Sequence, residues 1–263
     1  MMRYTLLFIS LIFGMTGLVC AQQSVPEGMA RIEGGSYLPF YSPDQQRIDI
    51  ESFYLDRYHV TNGEFLEFVR ENPEWRRSNV KPVFADARYL SHWAGDLDLG
   101  PQADQLRDSP VTHISWFAAR AYAKWRGKRL PTMHEWEFVA SASESEPIAG
   151  RDSSFIRQIL NWYASSQPDI LPAADEGTPN YYGVLNMHGQ VWEWVEDFNS
   201  VFITGESRDG GGINNQFYCA AGSVGSTDTE NYAAFIRFAL RGSLQASYTI
   251  RNLGFRTAMD IES

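Results

Sequence analysis

The 263-residue chain carries 22 basic and 32 acidic residues, a formal net charge of −10. That balance excludes nucleic acid and anionic membrane as favoured partners, since both would be repelled. Its length suits one large domain or two small ones, and no internal repeat, heptad or low-complexity run divides it.

Met1 to Tyr4 is a short basic segment, Thr5 to Val19 is apolar, and Val19 and Ala21 flank Cys20 with side chains that suit a cleavage site. Residues 1–21 are therefore expected to be a secretory signal peptide, with 22–263 as a single domain. The alternative, an uncleaved anchor, is disfavoured because the run is short of the roughly 20 residues a spanning helix needs. A lipoprotein signal is disfavoured by Val19, which stands where a small residue is required. Loss of Cys20 leaves Cys219 alone, so no intrachain disulfide can form. A single exported thiol is either buried and inert or reactive.

Gly and Pro are spread along the chain and most apolar runs are short, a pattern that predicts a loop-rich α+β domain. Thr61 and Glu64 form a capping-box pattern, and Phe65, Phe68 and Val69 repeat at helical spacing until Pro73. Residues 82–116 are polar, acidic and punctuated by Gly and Pro, which predicts a long surface excursion, either functional or disordered. Trp116 to Arg126 follows as a helix with one face of Trp116, Ala119 and Ala123, and Gly127 suits its left-handed end. Thr132 and Glu135 are a second capping box, opening a helix with Trp136 and Phe138. His134-Glu135 resembles the start of a zinc-protease helix, but Phe138 stands where the second histidine is needed.

The segment Asn186 to Phe198 reads NMHGQVWEWVEDF, with Glu193 between two tryptophans. In an extended chain the carbonyls of Gly189 and Val191 point to one side and Glu193 continues the register. With the Asn186 side chain, four oxygens can converge as calcium prefers. The competing assignment is a core strand in which Glu193 pairs with an arginine. His59, His92 and His113 form no cluster in sequence. Cys219 is a nucleophile or soft metal ligand if Arg237 or Arg241 lowers its pKa, and otherwise a small buried apolar residue. One thiolate makes a poor copper site, to which Met187 or His188 is an additional ligand candidate. Arg241 and Arg256 either position substrate or are buried against carboxylates and carbonyls.

The ordered set VTHISWFAARAYAKWRGKRLPTMHEWEFVA, YYGVLNMHGQVWEWVEDF, Ala221 to Ser223 and RNLGFR, entered through MARIEGGSYLPF and FYLDRYHVTNGEFLEFV, resembles the formylglycine-generating enzymes, or sulfatase-modifying factors. The resemblance spans about Met29 to Arg256. It implies one α+β domain related to C-type lectin folds. It also implies a structural calcium on Asn186, Gly189, Val191 and Glu193, with Trp192 facing a substrate groove. Asn161 and Trp162 match only the start of a second calcium motif. Members of the family oxidise a substrate cysteine with copper(I) held by two cysteines, and here Ser226 and Asn231 stand at those positions. Hard neutral ligands do not replace two thiolates for copper(I), so the standard mechanism is not expected. Phe217 to Gly222, Tyr232 to Phe235 and Arg237 to Arg241 are similar to a NirV-type branch of the superfamily.

Two functions follow as expectations. One is a periplasmic or secreted enzyme that modifies or oxidises a residue or cofactor site of a co-exported protein, with Cys219 as reactive group and Trp192, Ser226, Arg237 and Arg241 lining its groove. The other is a non-catalytic module that binds a peptide or ligand in the same groove.

Overall fold

The computed structural model describes residues 24–39, 46–149, 152–199 and 229–261. The signal-peptide segment, Cys219 and Ser226 lie outside the described residues. Strands β1 (Met29–Ile32), β2 (Gly35–Tyr37), β3 (Ile48–Ile50) and β4 (Phe53–Asp56) precede helices α1 (Asn62–Glu71), α2 (Ala103–Leu106), α3 (Trp116–Trp125), α4 (Met133–Ala140) and α5 (Ser153–Ala164). Strand β5 (Trp192–Glu193), helix α6 (Thr229–Ser243) and strands β6 (Leu253–Gly254) and β7 (Ala258–Asp260) complete the described part. The domain is α+β.

Both capping boxes form. The Thr61 hydroxyl accepts from Glu64 N at 3.2 Å, and Thr61 N donates to the Glu64 carboxylate at 2.8 Å. In α4, Thr132 N donates to Glu135 at 2.7 Å while Thr132 Oγ1 accepts from Glu135 N at 3.2 Å. Each box satisfies two N–H groups that a helix start leaves without partners. Gly127 follows α3 at φ +68°, a conformation that side chains beyond Cα resist.

The strands are short, and their pairing brings sequence-distant segments together. β4 lies between β1 and β7, antiparallel to both, with Met29 opposite Asp56 and Phe53 opposite Asp260. β2 and β3 form a second antiparallel pair. β5 and β6 run parallel, placing Trp192 opposite Leu253 and Glu193 opposite Gly254. Phe65, Tyr122 and Phe255 meet between α1, α3 and the chain after β6, with the Phe65 and Tyr122 rings 5.8 Å apart and those of Tyr122 and Phe255 5.3 Å apart.

Two features depart from the sequence expectation. The 82–116 excursion is not a surface loop, because Tyr89, Leu90 and Trp93 within it are buried and the Trp93 indole donates to Asn62 Oδ1 at 2.8 Å. Arg88, Asp98, Asp104 and Arg107 on it are exposed, while a few large side chains pin it to the core. Helices α5 and α6, which the sequence pattern did not announce, pack on one another. Asp152 caps α5, and Ile156 and Ile159 form its buried side.

Gly254 fixes how closely β6 approaches the core, because a Cβ there would sit 2.8 Å from the Val111 carbonyl and 3.1 Å from Val191 Cγ2. Gly254→Ala is therefore expected to lower unfolding stability by about 1–3 kcal/mol, read as a shift in denaturation midpoint at constant m-value.

Candidate functional site

The β5–β6 pair holds the segment singled out in the sequence. Trp192 N donates to Asn252 O at 2.8 Å and Trp194 N to Gly254 O at 2.9 Å, so Glu193 is turned into the interior and Trp192 outward. Glu193 meets Arg256, two residues beyond β6. Arg256 Nε donates to Glu193 Oε2 at 2.8 Å and Nη2 to Oε1 at 3.0 Å, while His59 Nε2 lies 3.0 Å from Oε1. Both side chains of the Glu193–Arg256 pair are 0% exposed. Arg256 also donates to the carbonyls of Asp56 and Leu185, at 3.2 and 2.9 Å. Burial pushes the Glu193 carboxyl up, but Arg256 and His59 outweigh it and hold it at about 2. Burial and Arg256 keep His59 neutral, against the pull of Glu193. Of the two assignments open for Glu193, its pairing with an arginine is present.

The turn before β5 bears on calcium. Asn186 and Gln190 adopt left-handed φ of +56° and +60°. Asn186 Oδ1 lies between Gly177 and Gly189, where an added Cβ would come within 2.7 and 3.3 Å of it, and a side-chain oxygen lodged at a glycine-lined turn fits an oxygen-ligated cation. Asn186, Gly189, Val191 and Glu193 would hold it, with two constraints. The Gly189 carbonyl already accepts from Val191 N at 2.7 Å, and Arg256 already compensates the charge of Glu193. The Asn186 amide donates to Glu176 O at 2.7 Å, leaving its oxygen as the ligand atom. At the second motif, the Trp162 carbonyl accepts from both the N–H and the hydroxyl of Ser165.

A second buried carboxylate organises the surface beside Trp192. Glu137 of α4 takes Arg237 Nε at 3.0 Å and Nη2 at 2.7 Å, and Arg241 Nη1 at 2.5 Å. Burial raises the Glu137 carboxyl, yet Arg237 and then Arg241 hold it at about 2. Arg237 Nη1 reaches the Tyr163 hydroxyl at 3.1 Å. Tyr163 in turn stacks on Trp192 at 4.8 Å and 30°, with Trp162 5.0 Å from the same indole. Arg241 lies 4.5 Å over the Trp136 ring. The structure therefore brings Trp192, Arg237 and Arg241 into one neighbourhood, through Glu137 and Tyr163, which sequence reasoning missed. No local pattern marks either one, since their partners lie 100 and 74 residues away.

His188 is also here. Its Nε2 donates to Ala140 O at 2.7 Å, its Nδ1 is buried without a partner, and burial with Arg237 lowers its pKa to about 3. Glu137 and Glu193 are held ionised at about 2 and His188 neutral at about 3, so these three form a fixed electrostatic floor beneath the aromatic wall. His92 and His113, separate in sequence, stack with ring centroids 5.0 Å apart. Asn231 falls in the first turn of α6.

These features define an α+β scaffold with little regular structure around two buried carboxylate–arginine centres. Residues 17–261 match the sulfatase-modifying factor enzyme 1-like domain, and the chain belongs to that family. It is 28% identical over 258 residues to the formylglycine-generating enzyme of Streptomyces coelicolor, covering 82% of this chain and 80% of the relative. It is also 28% identical over 209 residues to the inactive C-alpha-formylglycine-generating enzyme 2 of Bos taurus, covering 64% of this chain and 69% of that one. PvdO from Pseudomonas aeruginosa superposes with a TM-score of 0.47 at 18% identity, over 89% of this chain and 94% of that chain.

Arg256→Met leaves Glu193 buried and unpaired, and is expected to cost about 3–5 kcal/mol at pH 7. That deficit narrows as pH falls from 7 toward about 4.5, because burial without Arg256 raises the Glu193 carboxyl above its ordinary value and a protonated Glu193 needs no cation. In the wild type the trend is opposite. His92 and His188 are held at about 3, against 6.5 for a free imidazole. The unfolded chain therefore gains protons below pH 6.5 that the folded protein refuses. Glu137 and Glu193 add a second loss from pH 4.5 downward, as their unfolded counterparts protonate. Denaturation midpoints of both proteins between pH 7 and 3.5 check the two slopes.

Proposed function

We propose that the protein is a formylglycine-generating-enzyme-like factor that is exported and modifies or oxidises a residue or cofactor site of a co-exported protein, without the two-cysteine copper mechanism. The supporting observation is the wall of Trp192, Tyr163 and Trp162, anchored from behind by Arg237 on Glu137. A half-buried aromatic wall held by a buried ion pair is preorganised to receive a side chain of another polypeptide. Cys219 is the reactive group of this proposal. Ser226 and Asn231, at the copper-cysteine positions of the resemblance, are the wrong donors for copper(I). Copper, if bound, would depend on Cys219.

The signal-like residues 1–21 support export to the periplasm or beyond. Among the described residues no helix is long and apolar enough to cross a membrane. The partner is an exported protein or peptide. Calcium is proposed as a structural ion on Asn186, Gly189, Val191 and Glu193.

A second function, binding without catalysis, is favoured by the commitment of Glu137 to Arg237 and Arg241, which makes it a structural rather than a proton-transferring group, and by the relative named inactive. Cys219→Ser separates the two functions. After anaerobic copper(I) loading and desalting, elemental analysis is expected to find calcium in both proteins and copper in wild type alone. Copper in neither would favour the binding module. Returning about 1 mM calcium to chelator-treated protein is expected to raise the melting temperature by about 2–5 °C; no shift would remove calcium from the proposal.

A further inference from the structure

A recess of about 240 Å³ lies where the first turn of α1, the end of α3 and the chain after β4 meet, apart from the Trp192 wall, none of whose residues lines it. It is smaller than the roughly 300–1,000 Å³ clefts that take drug-sized ligands, so its occupant is a small molecule. Tyr122 enters it from α3, Glu64 from α1 and Tyr58 from the chain after β4. His59, part of the same lining, touches Glu193 and Arg256.

Tyr122 is 2% exposed, and its ring is fixed by those of Phe65, Phe68 and Phe255 at centroid distances of 5.8, 5.7 and 5.3 Å. Its hydroxyl makes no hydrogen bond among the described residues. The charges that act on that hydroxyl are Glu64, Arg126 and Asp56, with Tyr58 beside them, and all four line the recess. The hydroxyl is therefore directed into it. Burial, then Glu64, pushes the Tyr122 hydroxyl up, and burial with Glu64 does the same to Tyr58, so both keep their protons and can donate. Folded proteins leave few buried polar groups unpaired, and one that opens into a recess is a contact waiting for a ligand.

The charged groups of the recess do not cancel pair by pair. Asp56 is committed to Lys128 at 2.7 Å and to Thr257 N at 2.8 Å. Glu64 closes the capping box through Oε2, and its Oε1 accepts no hydrogen bond among the described residues. Glu27, Glu64 and Arg126 enter no ion pair among the described residues, although all three line the recess. A simple cation there would be repelled by Arg126, and a simple anion by Glu27 and Glu64. A molecule that carries both charges a few bonds apart satisfies both ends. We infer that the recess binds a small zwitterion of the α-amino acid type, its ammonium on Glu27 and Glu64, its carboxylate on Arg126, and the Tyr122 hydroxyl between them. Hydrogen bonds to ionised groups are the strong ones, so each of these contacts discriminates. The inference holds whether the Trp192 site catalyses or only binds.

The test is calorimetric titration of the purified protein with L-alanine, which carries both charges, and with ethylamine and propionate, which carry one each. L-alanine is expected to bind with a roughly millimolar or tighter Kd, and each single-charge probe at least about tenfold more weakly. Tyr122→Phe keeps the ring packing and is expected to weaken L-alanine about tenfold. Arg126→Gln should abolish the preference for L-alanine over ethylamine, and Glu27→Gln should narrow its preference over propionate. Arg126 and Glu27 are exposed, and thermal unfolding followed by circular dichroism checks that each variant folds. Ethylamine or propionate binding the wild type as tightly as L-alanine would overturn the inference, as would an unchanged affinity in Tyr122→Phe. So would no binding of L-alanine at about 20 mM by calorimetry and saturation-transfer NMR alike.

Discussion

A carboxylate sealed from water must find its counter-charge inside the protein, and Glu193 finds it in Arg256. The pair is bidentate and fully buried, and the remaining guanidinium hydrogens are spread over carbonyls at Asp56, Arg57 and Leu185. One side chain thereby ties β6 to the end of the central strand β4 and to the turn that leads into β5. Removing a single partner from such a centre leaves an uncompensated ion in a medium that solvates it poorly. The arrangement accordingly fixes one register for β5 and one face for Trp192.

The second centre uses the same physics toward the surface. Two guanidiniums on Glu137 keep it ionised, and Arg237 extends the order outward to Tyr163 and so to the Trp192 ring. The aromatic wall of Trp192, Tyr163 and Trp162 is held by electrostatics rather than by regular secondary structure. This suits a fold whose strands are two to four residues long, too short to position a site by hydrogen-bond ladders alone. The aromatic surface around Trp192 and the interior are consequently parts of one ionic framework.

What the sequence revealed was what is local. Thr61 with Glu64 and Thr132 with Glu135 act within one helical turn, so their spacing alone predicts both helix starts. Gly127 is equally local. Glu193 between two indoles announced a buried acid but not its owner, because Arg256 lies 63 residues further on. Glu137 and Tyr163 escaped notice for the same reason, as did the meeting of His92 with His113. The 82–116 segment misled because its composition is that of a loop, whereas its placement is decided by Tyr89, Leu90 and Trp93. A few large anchors outweigh many polar neighbours when the anchors find a cavity of their own size.

The order in which these pieces occur along the chain matters for assembly. β4 is made early, yet it is flanked by β7, and its end at Asp56 waits for Thr257, 201 residues later. His59 and Glu193 likewise remain without Arg256 until almost all the described chain has been synthesised. Loops this long make closure slow relative to local helix formation. A nascent chain of this kind stays unlocked while it emerges, with helices such as α1 and α3 able to form and dissolve, and commits to a single structure only when its late arginine arrives. That delay makes the last segment of the described chain the one whose arrival decides when the fold locks.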